Sequence, residues 1–208
     1  MDIKPEQSME QTILEVAERL FLEKGFALTS TTEIAKKVGC NQALVHYYFR
    51  TKDNLFNTIF EQKFRMLFEN MYASQNFGNI SFSEKVRHAV ESHFDLLTKN
   101  PKLPLLVATE LSRLPENLKN LRTKLQAVPF ELFTKLNDEL QQEIAEGRAR
   151  KVELMDIIIT MVTLNAGLFM LLPIASGIMQ LDEEQTKELL AHRREENVQV
   201  ILNYITSC

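Results

Sequence analysis

The run IIITMVTLNAGLFMLLPIASGIMQL, from Ile157 to Leu181, holds no charged residue over 25 positions, and it constrains the chain more than any other segment. As a helix it is long enough to cross roughly 30 Å of hydrocarbon, so it is either a membrane span or a helix packed on several sides. Thr160, Thr163, Asn165, Ser176 and Gln180 lower its hydropathy, and Gly167, Pro173 and Gly177 are expected to break the helix near its end. Those interruptions favour a helix buried in a core or a subunit interface, where apolar residues are needed all round. A membrane-tethered chain is the alternative.

The remaining segments are helical as well. Six glycines and six prolines in 208 residues, no alternating pattern of useful length, and stretches rich in Leu, Glu, Lys and Gln predict an all-α protein of about nine helices. Ile13, Val16, Ala17, Leu20 and Phe21 fall on one helical stripe. Ser8 is placed to cap its start, and Gly25 to end it, with Phe26 folding back on Phe21. The stretch STTE at 30–33 matches a capping box and opens a second helix, which sends Ile34, Ala35 and Val38 inward and stops at Gly39. Asn41 then caps a third short helix. A fourth begins at Thr51 and keeps helical spacing from Leu55 to Met71. Further helices are expected over about 83–99, 102–114, 116–146 with a break or kink at Pro129, 153–176 and 183–206, with a linker at 74–81.

Several classes of function find no residues to support them. Cys40 and Cys208 are far apart, so neither a disulfide framework nor a thiolate metal site is expected. His88 and His93 fall on different faces of one helix, which argues against a metal pair, and His192 beside Arg193 and Arg194 reads as solvated surface. No nucleophile with a base, carboxylate pair or glycine-rich phosphate loop is visible, so neither an enzyme nor a cofactor is expected. The polar, acidic N-terminus lacks the pattern of an export signal, and a cytoplasmic protein is expected.

The formal net charge is −4, yet between Ile34 and Lys52 there is no acidic residue, while Lys36, Lys37, Arg50 and Lys52 are all positive. Two short capped helices around a glycine turn form a helix-turn-helix unit, whose second helix enters the major groove of DNA. In that geometry Asn41, Gln42 and Leu44 face base edges; Gln suits adenine, and Leu a thymine methyl. His46, Tyr47 and Lys52 reach phosphates as ring or ammonium donors. Val45 and Phe49 bury against the first helix, and Tyr48 packs in part. A helical module that binds an acidic protein through the same patch is a further alternative.

From Ile13 to Leu55, ILEVAERLFLEKGFALTSTTEIAKKVGCNQALVHYYFRTKDNL resembles the DNA-binding domain of TetR/AcrR-type transcriptional regulators in both the order and the gaps of its motif. The resemblance implies a helix-turn-helix domain over residues 1–52 and a ligand-binding and dimerisation domain over 53–208. It implies phosphate contacts from Ser30, Thr32 and Lys52, and DNA-facing positions for Asn41, Gln42, Leu44, His46 and Tyr47, with Lys36 in the same basic patch. Members of the family usually carry Tyr in place of His46, and often Thr in place of Leu44. It further implies a homodimer through the last two helices on palindromic operator DNA, acting most often as a repressor. A small apolar or amphipathic molecule in the second domain would respace the recognition helices. Phe64, Phe68, Phe94, Met161, Asn165 and Phe169 combine apolar area with an occasional polar handle, as ligand cavities do, and are the candidates to line that site. No membrane partner is implied.

Overall fold

The computed structural model describes residues 8–73, 80–111 and 128–206. Most of the linker expected at 74–81 and the first part of the helix expected at 116–146 fall outside these residues, as do the side chains of Phe64 and Phe68. Among the described residues there are nine helices and no strand: α1 (Met9–Lys24), α2 (Thr31–Val38), α3 (Gln42–Phe49), α4 (Lys52–Ala73), α5 (Phe82–Lys99), α6 (Leu103–Leu111), α7 (Val128–Ala145), α8 (Leu154–Met179) and α9 (Glu183–Thr206).

Local chemistry sets the helix ends. Ser8, Ser30 and Asn41 each accept a bond from a first-turn amide of α1, α2 and α3, and Thr51 does the same for Asn54 in α4. At α5 the complete capping box is Ser81 with Glu84, so the helix starts one residue before the expected Ser83. The Ser81 amide and hydroxyl bonds hold the Glu84 carboxyl below its ordinary range. Gly25 and Gly39 end α1 and α2 with φ of 82° each, a left-handed conformation that costs an L side chain energy. Pro129 falls at the second residue of α7, where a missing amide breaks no helical bond.

Pro173 corrects an expectation. It does not end its helix; α8 runs through it to Met179, three residues beyond the expected stop at Ser176. Proline's missing amide loses one backbone bond, and the helix continues for six residues beyond it.

The chain divides into two compact units, and the described part of the first holds residues 8–64 and 105–111. Its core is Ile13, Leu14, Ala17, Leu20 and Phe21 of α1 against Ile34 and Ala35 of α2, Val45 and Phe49 of α3, and Leu55, Phe56 and Ile59 of α4, closed by Leu106. Phe21, Phe26 and Phe56 pack with centroids 5.3–5.6 Å apart, so Phe26 does fold back on Phe21.

In the second unit α5 packs on α8 and α9, and α8 on α9. Val86, Val90, Leu140, Ile157, Met161, Val198, Ile201 and Ile205 belong to its core. On α8 the buried residues Leu154, Ile157, Met161, Asn165 and Phe169 line one face. The opposite face is equally apolar but uncovered: Met155, Ile159, Val162, Met170, Leu171, Ile174 and Ile178 are exposed, Ile178 at 78%. Among the described residues α8 is the one helix long and apolar enough to cross a membrane, with mean hydropathy 2.2 over a window of which 22% is buried.

Candidate nucleic-acid interface

α2 and α3 are joined by the three residues Gly39–Asn41, and their exposed surfaces form one polar face. Gln42, at the first position of α3, spans the two helices. Its Oε1 accepts from the Thr32 hydroxyl at 3.0 Å, and its Nε2 donates to Thr31 Oγ1 at 3.2 Å. One helical turn further, His46 Nε2 lies 3.4 Å from the same amide nitrogen. Thr31, Thr32, Gln42 and His46 are therefore one linked set of side chains on this face.

Ser30, Lys36, Asn41 and Tyr47 are exposed around this face, Leu44 is half-buried, and Tyr47 is 69% open. Val45 and Phe49 point the other way, into the core. Tyr48 is 37% exposed and meets Tyr47 edge to face at 5.3 Å. Lys36 and Lys37 have no acidic partner among the described residues, and Glu33, the acidic residue before the stretch, is paired with Lys24. The acid-free stretch thus stands as a positive surface.

Lys52 is placed differently from its neighbours. Its ammonium donates to the carbonyls of Phe26 and Thr29, both at 2.9 Å, and lies 4.2 Å from the centroid of the Phe26 ring. Thr29 is itself buried, its hydroxyl shared between the carbonyls of Leu20 and Gly25. Lys52 and Thr29 together fasten the α1–α2 turn to the start of α4. Thr29 carried no signal in the sequence, because the contact joins segments 23 residues apart.

The junction of α3 and α4 is strained. Arg50 has φ 63° and ψ −54°, and the Thr51 amide donates to the Phe49 carbonyl at 2.7 Å, a γ-turn of the strained hand. A residue with a Cβ pays about 1–3 kcal/mol for such a conformation, so something must hold it. His46 Nδ1 lies 2.8 Å from the Arg50 carbonyl oxygen, the bond that does so.

In the second unit, the other candidates Phe94, Met161, Asn165 and Phe169 are all buried. Phe94 and Phe169 meet edge to face at 5.3 Å. Asn165 Nδ2 donates to the Val90 carbonyl at 3.0 Å and to His93 Nδ1 at 3.1 Å, while Asn197 Nδ2 donates to Asn165 Oδ1 at 2.8 Å. Burial pushes the His93 imidazole down to about 4, so it is neutral and accepts at Nδ1. This polar triad on α5, α8 and α9 was not visible in the sequence, since its bonded members are 32 and 72 residues apart. Among the described residues no three His, Cys, Asp or Glu side chains gather as metal ligands.

Residues 13–59 match the family model described as bacterial regulatory proteins, tetR family. The chain is similar to the Fatty acid metabolism regulator protein of Bacillus subtilis, 24% identical over 139 residues covering 67% of this chain and 70% of that one. It is 42% identical over 55 residues, 26% of each chain, to the HTH-type transcriptional regulator AcrR of Shigella flexneri. Among solved structures, the transcriptional regulator FadR from Bacillus subtilis in complex with stearoyl-CoA aligns with a TM-score of 0.67 at 19% identity, over 93% of this chain and 98% of that one, a likeness of fold.

Proposed function

Because this chain belongs to the TetR/AcrR family of transcriptional regulators, we propose that it is a repressor that binds palindromic operator DNA as a homodimer and is released by a small molecule held in its C-terminal domain. The observation that carries this reading is the Gln42 amide, presented on the exposed face of α3 by Thr31 and Thr32 within an acid-free basic surface. Residues 1–52 form the DNA-binding domain and 53–208 the ligand-binding and dimerisation domain. Asn41, Gln42 and Leu44 meet base edges; Ser30, Thr32, Lys36 and Tyr47 meet phosphates. Lys52 has one N–H left beyond its two carbonyl bonds, and that one serves the backbone. The protein works in the cytoplasm.

One short recognition helix reads only a few base pairs, so a specific site needs two, about 34–36 Å apart. The uncovered apolar face of α8, with Val200 of α9 also exposed, supplies the surface on which a second copy packs. The ligand is apolar or amphipathic. The stearoyl-CoA bound by the Bacillus subtilis FadR of similar fold supports that class. Phe94, Met161 and Phe169 offer its apolar contacts, while Asn165 already spends both N–H groups inside the protein.

The face of α8 also favours a second reading, attachment to a membrane. Against it, Asn165 in the middle of α8 is wholly buried and bonded to α5 and α9, so lipid would meet only one side. Recovery of the full chain in the soluble fraction without detergent separates the two. For the DNA reading, Gln42→Ala is expected to relax the preference at one base pair by about 1–3 kcal/mol, and Tyr47→Ala to weaken all sequences alike. An unchanged profile for Gln42→Ala would remove Gln42 from the reading head.

A further inference from the structure

We propose that His46 is a specificity-determining residue whose imidazole Nε2 accepts a hydrogen bond from an exocyclic amino group in the major groove, N4 of cytosine or N6 of adenine. The inference rests on the DNA-binding reading above and changes the chemistry expected of His46 within it. Its starting point is the 2.8 Å contact between His46 Nδ1 and the Arg50 carbonyl. A carbonyl oxygen only accepts, so Nδ1 carries the proton. A neutral imidazole has one N–H, and Nε2 is therefore left with a lone pair. The neighbouring group agrees: the Gln42 amide nitrogen, which only donates, lies 3.4 Å from Nε2, a long contact that the base amino group replaces on the one lone pair when DNA binds.

The backbone explains why this tautomer is imposed. With φ 63° and ψ −54°, the γ-turn at Arg50 leaves that carbonyl within reach of the ring one helical turn earlier. His46 thus holds the joint between α3 and α4 with one nitrogen and faces outward with the other, on the surface it shares with Gln42, Thr31 and Thr32. Phosphate oxygens are acceptors, and a neutral ring that gives its one proton to the Arg50 carbonyl has none left for them. On the base edges of the major groove the hydrogen-bond donors are the amino groups of cytosine and adenine. An exposed acceptor fixed beside Gln42 selects them over the acceptor edges of guanine and thymine.

The test is selection from a random duplex pool with the full-length protein and with His46→Asn, whose shorter amide can still donate to the Arg50 carbonyl but does not reach outward. The unaltered protein should enrich a palindrome, with cytosine or adenine favoured at one position of each half-site by about five- to a hundredfold. His46→Asn should lose that preference alone, with its thermal midpoint kept. A readout on the unaltered protein needs no variant: at that position, 2-pyrimidinone in place of cytosine or purine in place of adenine should weaken binding by the same factor. If the unaltered protein enriches nothing, both the operator reading and this inference fall. If it enriches an operator and His46→Asn selects the same one, or binding is indifferent to loss of the amino group, or His46→Asn weakens every sequence uniformly, the operator reading stands and this inference is overturned.

Discussion

Arg50 is the residue whose conformation is hardest to reconcile with its side chain, and replacing it gives a direct measure of the strain at the α3–α4 joint. Arg50→Gly should raise stability by about 1 kcal/mol, measured by denaturant unfolding, because glycine meets no penalty at φ 63°. No change, or a loss, would show that the turn is not strained. His93 gives a second test, with a sign that follows from its burial. Its folded value of about 4 lies below the ordinary 6.5, so the unfolded chain binds the proton first. Stability is then complete above pH 6.5 and falls as pH drops from 6.5 towards 4, by about 2 kcal/mol between pH 7 and pH 5. His93→Gln should flatten that slope; a slope that persists would place its origin elsewhere. At this scale the sequence was legible where residue type speaks for itself, as with Gln42 at a helix start. It was silent where a role depends on a distant backbone atom. The proton on His46 follows from a carbonyl at Arg50, and two donors of Lys52 are drawn inward by carbonyls at Phe26 and Thr29.

Among the helices, both ends of α2 and the start of α3 were readable to the residue, because Ser30, Gly39 and Asn41 are strong stop and start signals and each helix has one apolar side. α8 was readable only as a helix. A segment apolar on every side gives no periodicity from which to tell its inner face from its outer one, and Pro173 reads as a break although the helix continues through it. Three-dimensional packing supplies the answer: Asn165 faces inward to His93 and Asn197, and Ile174 faces out at 59% exposure. Ile174→Glu should therefore leave the fold of the protomer intact, with an unchanged helical spectrum, and break the dimer, seen as a halved mass in sedimentation equilibrium. A variant that stays dimeric would place the interface on another surface. A charge at the buried Met161 should instead unfold the second unit, since it would enter the core without a partner.

For the molecule as a whole, a net charge of −4 and a basic helix-turn-helix surface coexist because the acidic residues lie outside the stretch from Ile34 to Lys52. On the operator reading, non-specific attraction to DNA is expected to be local to that stretch, and affinity should fall steeply with added salt while sequence preference persists. The resemblance that named the family spans 43 residues of motif, and the family model covers a similar stretch, 13–59, so the N-terminal unit was legible as a DNA reader. The larger unit was legible as helices and an apolar run, with no motif to mark which residues meet a ligand. Specific operator recognition requires two copies of the chain on one site. The most direct measurement is the mass, by sedimentation equilibrium, of the complex formed on the duplex enriched from a random pool. Two chains per duplex, with half-sites about one helical turn apart, is the result predicted; one chain per duplex at every protein concentration would contradict it.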